Sequence, residues 1–140
     1  MKRLILLAMV VCGFTLSSCE KEPKNDPYYV LYFCAEVVDE VGSPIQGIYS
    51  YPEGGAFYGR SGYSNYLGII DYGFVHAHPD KLYRVIFEDV DGEANGGEYE
   101  SVTIDIRSQL TGINNKPDEW GFVGSGIVNP GKVVMKLKSN

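Results

Sequence analysis

From Tyr28 onward, short runs of apolar or alternating residues are separated by glycine, proline and acidic breaks. Tyr28 to Val38 is apolar, aromatic or β-branched nearly throughout, which predicts a first strand. Asp39-Glu40-Val41-Gly42-Ser43-Pro44 ends it as a turn, and Ile45 to Tyr51 resumes an extended pattern. Pro52-Glu53-Gly54-Gly55 is a second turn, followed by a Gly/Tyr/Ser-rich stretch over 56–66. Leu67 to Val75 predicts another strand, with Gly68 and Gly73 as turn or bulge points, and His76-Ala77-His78-Pro79-Asp80 predicts a loop. Leu82 to Glu88 alternates cleanly, with Val85 and Phe87 on one side and Arg84, Ile86 and Glu88 on the other. After an acidic, glycine-rich loop over 89–98, Tyr99 to Ile106 alternates again, with Val102, Ile104 and Ile106 sharing a face. Residues 108–129 read as a long connection, and Lys132 to Lys138 as the final strand. No stretch sustains a helical period. About seven short strands with these turns predict an all-β domain, a single β-sandwich.

The residues ahead of Tyr28 follow a different logic. Lys2 and Arg3 precede an apolar run over 4–16, too short to span a bilayer and of signal-peptide length. Leu16-Ser17-Ser18-Cys19 then matches a lipobox, in which small residues precede a cysteine thiol that receives diacylglycerol. The organisation expected is a signal peptide over 1–18, lipidated Cys19 with a flexible tether over 19–27, and a β-sandwich over 28–140. Glu20-Lys21-Glu22-Pro23-Lys24-Asn25-Asp26-Pro27 has the charge and proline of a tether. Its charge just after the cysteine resembles the export signal of Bacteroidota surface lipoproteins. An outer-membrane lipoprotein held by its lipid anchor is therefore expected, with the periplasmic and cell-surface faces both open.

About 120 residues remain after cleavage, enough for one domain with a core. Losing Lys2 and Arg3 takes the formal charge from −6 to −8, which argues against nucleic acid as a partner. Cys12 leaves with the leader and Cys19 carries lipid, so Cys34 stands alone, read as a buried, inert thiol.

Three groups of residues invite a chemical reading. In the acidic loop, Asp89, Asp91, Asn95 and Glu98 offer oxygens to Ca²⁺, while the same Asp-Gly and Asn-Gly steps are strong turn signals. The spacing is not that of an EF-hand. His76 and His78 would face one side of an extended segment, but no third zinc ligand follows from spacing, and a solvated loop pair is the plainer reading. Tyr49, Tyr51, Phe57, Tyr58, Tyr63, Tyr66 and Tyr72 crowd one third of the chain. Tyr49, Tyr51, Tyr58, Tyr63 and Tyr66 are the candidate contact surface for a protein or a glycan, with strand and core packing as the alternative. No catalytic set emerges, and no enzymatic activity is expected.

Val37-Val38-Asp39-Glu40-Val41-Gly42-Ser43-Pro44-Ile45 resembles the opening of carboxypeptidase regulatory-like domains, where a strand ends in Asp-x-x-Gly-x-Pro-Ile. That resemblance implies a transthyretin-like sandwich. In the place of the later Thr-Asp-x-x-Gly-x-Tyr/Phe element of such domains stands Ser64-Asn65-Tyr66-Leu67-Gly68-Ile69-Ile70. With the lipobox, the stretch from Phe87 to Tyr99 resembles a family of Bacteroidota lipoproteins named for association with radical SAM enzymes. The resemblance implies an accessory or binding role, including that of substrate or partner of such a maturation enzyme, and brings no activity of its own.

Overall fold

A computed structural model describes residues 24–53, 62–77, 84–110 and 116–139, with backbone alone at 74–77. Among them are seven strands: β1 (Tyr28–Val38), β2 (Ile48–Pro52), β3 (Gly62–Tyr63), β4 (Ile69–Ala77), β5 (Arg84–Asp89), β6 (Val102–Asp105) and β7 (Phe122–Val134). Two short 3-10 turns, Ala94–Gly96 and Arg107–Gln109, are the helical elements described. One sheet has the order β4-β1-β7 and the other β3-β2-β5-β6. All pairs are antiparallel except β1 with β7.

β1 occupies the bounds its apolar run predicts, because it is the middle strand of its sheet. Tyr29, Leu31, Phe33, Ala35 and Val37 point inward and are buried. They join Ile48 of β2, Ile70 and Tyr72 of β4, Val85 and Phe87 of β5, and Val128 and Val133 of β7 in one cluster fed by both sheets. The Phe33 ring lies 5.3 Å from Tyr72 and 6.0 Å from Phe87, so it ties β1 to its neighbour β4 and to the other sheet. Ser50 and Tyr72 hydrogen-bond at 3.0 Å, a second link between the sheets.

Burial raises the Tyr72 phenol above its ordinary value, the Ser50 hydrogen bond opposing this in part. A free tyrosine ionises near pH 10. Tyr72 therefore contributes its stability in full below that pH and loses it as pH climbs toward the raised folded value. A decline of up to about 1.4 kcal/mol per pH unit is expected from this group above pH ~10. Tyr72→Phe should make the fall of the thermal midpoint with alkaline pH shallower, with Tyr51 and Tyr99, both also raised, sustaining the remainder. An unchanged slope would show that Tyr72 plays no part.

Four turns share one construction. Asp39, Asn65, Asp89 and Asp118 each accept backbone N–H bonds from residues just ahead, and each has a glycine three positions on: Gly42, Gly68, Gly92 and Gly121. All four glycines have positive φ, between 69° and 88°, a region glycine enters without steric penalty. In three of the turns the same side-chain oxygen takes the N–H groups at both the second and fourth residues onward. Three aspartates, an asparagine and four glycines thus serve to close turns.

β7 departs most from expectation. Residues read as part of a long connection form a strand from Phe122, and the strand expected from Lys132 is its continuation, ending at Val134. Gly124, Gly126, Asn129, Pro130 and Gly131 are turn formers, yet β7 lies at a sheet edge, where a missing N–H is tolerated. Asn129 and Pro130 fall in the register shift between Phe33–Val128 and Ala35–Gly131. The chain then leaves the sheet: Met135 N–H bonds Val38, while Lys136, Leu137 and Lys138 run beside residues 98–100. The expected Tyr99–Ile106 strand contracts to Val102–Asp105, with Tyr99 held by its bridge to Leu137. β4 runs on through Ala77, so His76 belongs to a strand opposite Tyr29 and not to a loop.

Candidate functional site

Alternation along β2 buries Ile48, Ser50 and Pro52 and sends Tyr49 and Tyr51 to the outer face of the β3-β2-β5-β6 sheet. β3 sets Tyr63 opposite Tyr49, their ring centroids 4.9 Å apart, and Tyr51 follows at 5.4 Å from Tyr49. The three rings form a row. Its Tyr51 end is fixed by an O–H bond of 2.8 Å to Glu88, which stands opposite Tyr49 on β5. That bond raises the Tyr51 phenol above its ordinary value. Its other end is open: Tyr63 is 59% exposed, and Tyr66, on the following turn, is 72% exposed. Half-buried Ile86 lies opposite Tyr51, while Arg84 pairs with Glu53. Thr103 and Asp105 carry the face on to β6.

Neighbouring planes meet at 33° and 40°. The rings lean on one another and do not form the coplanar platform that would suit a sugar ring laid flat. What the face presents is a mixture of phenol hydroxyls, ring surface, carboxylates and a guanidinium. Such a surface adapts to a protein partner at small entropic cost, since tyrosine has few rotatable bonds. The crowded aromatics therefore divide. Tyr72 is core, Tyr49 and Tyr51 are half-buried, Tyr63 and Tyr66 are exposed, and Phe57 and Tyr58 lie outside the described residues.

In the acidic loop, Asp89 does not aim at a common centre with its neighbours. Its Oδ1 accepts the N–H groups of Asp91 and Gly92 at 3.1 and 3.2 Å, and its Oδ2 that of Tyr99 at 2.9 Å. The Asn95 amide donates to Asp91, and Glu98 pairs with Lys138. Asn95 has φ 55°, a left-handed position that asparagine tolerates. Gly47, with φ +85°, lies so close beneath Asp91 and Asn95 that a Cβ there would run into the Asp91 carboxylate. The loop is thus fastened over the Gly47 turn. Among the described residues no group of three or more His, Cys, Asp or Glu side chains is placed to hold a metal.

Cys34 is half-buried, not buried, because Phe33 and Ala35 take the inward positions of β1 and turn it to the other face, opposite Asp71. Cys19 and His78 lie outside the described residues. Sequence patterning missed the part played by Glu88 and Tyr51 together. The signal was present in the β2 and β5 alternations, but the register that joins them was not.

Among the described residues no helix is long and apolar enough to cross a membrane. Comparison with family models gives no match, and comparison with curated proteins gives none either.

Proposed function

We propose that this chain is a non-enzymatic, lipid-anchored interaction module of the bacterial envelope, held in the outer membrane through Cys19. Its two sheets form a transthyretin-like sandwich that presents the Tyr49-Tyr51-Tyr63 row, with Tyr66, to a protein partner. The observation that carries this reading is the outward row of mutually tilted tyrosines, fixed at one end by Glu88 and open at the other.

Two measurements test the two halves of the proposal. Cys19→Ser should release the protein from the membrane fraction, with the lipid mass gone; retention of that variant would defeat the anchoring. A photo-crosslinking amino acid at position 63 or 66, in living cells, should give one discrete adduct that is missing when the same group replaces exposed Glu100. No adduct from either tyrosine position would defeat the contact surface. A glycan ligand is the second reading, favoured by the exposed Tyr63 ring beside the Tyr51–Glu88 pair, and glycan-array binding lost in Tyr63→Ala would move the assignment there. Service to a radical SAM enzyme as its substrate would add mass beyond sequence plus lipid.

A further inference from the structure

The segment entering β1 is tied down before the strand begins. Lys24 N–H bonds the Glu119 carbonyl at 2.9 Å, the Asn25 side-chain amide bonds the Trp120 carbonyl at 3.0 Å, and Tyr28 N–H bonds the Gly121 carbonyl at 2.8 Å. The Lys24 ammonium lies 3.9 Å from the centre of the Trp120 ring. Gly121 admits this strap, since a Cβ there would sit 2.7 Å from the carbonyl oxygens of both Asn25 and Asp26. The expected flexible tether over 19–27 is therefore fixed from Lys24 onward.

Four residues, Glu20 to Pro23, separate Cys19 from Lys24, which makes five backbone steps. Whatever their conformation, they reach at most about 18 Å. β1 itself, at eleven residues, is about 33 Å long. The strap lies at its N-terminal end, with the start of β7, whereas the acidic loop, the 39–47 turn and residues 135–138 lie at its C-terminal end. A lipid on Cys19 thus holds the strap pole near the bilayer. At that pole Trp120, the sole tryptophan of the chain, is 50% exposed.

We infer that this pole rests on the membrane, with Trp120 seated at the lipid–water interface, an inference that depends on lipidation of Cys19. Indole is suited to that boundary because its ring is apolar while its N–H prefers a polar neighbour. Charge does not drive the contact. Exposed Lys24 and Lys116 are offset by Asp26, Asp118 and Glu119, and the Asp118 carboxylate holds the turn by accepting from Trp120 and Phe122. The short tether supplies the proximity and the ring supplies the affinity.

The single tryptophan makes the test specific. The full lipidated chain is placed in phosphatidylethanolamine–phosphatidylcholine vesicles with and without acyl chains brominated near the headgroup. Trp120 emission should shift to the blue relative to the soluble Cys19→Ser chain and be lost to the brominated lipid. A flexible insert of about twelve residues after Glu22 should restore the soluble spectrum while flotation with vesicles is kept. Flotation with Trp120 emission unshifted and unquenched would overturn the docking alone, and quenching that survives the insert would overturn the tether's role in it. A chain that carries no lipid and does not float would overturn the anchoring and the docking with it.

Discussion

Phe33→Ala is expected to destabilise the folded protein by about 3–5 kcal/mol, the range for emptying a fully buried aromatic site. Against the roughly 5–15 kcal/mol that holds a typical domain together, that loss would leave a sizeable unfolded fraction. The effect is large because the ring meets both Tyr72 of its own sheet and Phe87 of the other, so the cavity opens where the sheets are joined. Phe33→Leu keeps most of the volume and should cost about 1.5 kcal/mol or less. In a double-mutant cycle with Phe87→Leu, a coupling of about 0.5–1.5 kcal/mol is expected from the ring pair. Urea unfolding of the Cys19→Ser chain measures all three. A loss below about 1 kcal/mol for Phe33→Ala would mean that the ring does not bridge the sheets.

Asp89→Ala should cost about 2–4 kcal/mol, since it strands three backbone donors, that of the buried Tyr99 among them. Asp89→Asn discriminates between shape and charge. Its amide oxygen can still accept from Asp91 and Gly92, but its amide nitrogen would then meet the Tyr99 N–H donor to donor. Little rescue by asparagine is therefore expected; a wild-type unfolding midpoint in that variant would rule out the Tyr99 bond as a significant fastening. Because Asp89, Asp91 and Glu98 are each bonded within the protein, the midpoint should stay put when millimolar calcium or a chelator is added. A rise with calcium would assign the loop to the metal.

Legibility in the sequence followed the strength of the local signal. β1 could be bounded to the residue because its inward row of apolar residues, Tyr29, Leu31, Phe33, Ala35 and Val37, is unbroken up to the Asp39 turn. The inward sides of β5 and β6 were readable from alternation, as Val85, Phe87, Val102 and Ile104 bear out. β7 was hidden because its Gly, Asn and Pro residues are turn formers by propensity, and only pairing with β1, far off in sequence, makes them a strand. A signal for its start did exist. Asp118-x-x-Gly121 repeats the spacing of Asp39-x-x-Gly42 and Asn65-x-x-Gly68, and in all three the chain turns extended soon afterwards. At the candidate site, the abundance of tyrosine pointed to the region but not to the row. Which rings face outward depends on β2 register, and which lean together depends on β3 lying beside it. The Trp120 strap had no periodic signature at all, since it rests on a cation–ring contact and backbone bonds across about ninety-five residues.

The parallel pairing of β1 with β7 also governs when this protein can fold. A chain made or threaded from its N-terminus presents β1 first, yet one whole edge of that strand stays unsatisfied until Phe122–Val134 arrives. Closing a loop of that size carries an entropic penalty that no earlier contact offsets in full, so the first sheet completes late and slowly. Until then β1 is paired along one edge alone, with β4. The same pairing acts as a latch: once the last strand is seated, the first is enclosed between two partners, and the fold can be undone only by giving up its central strand.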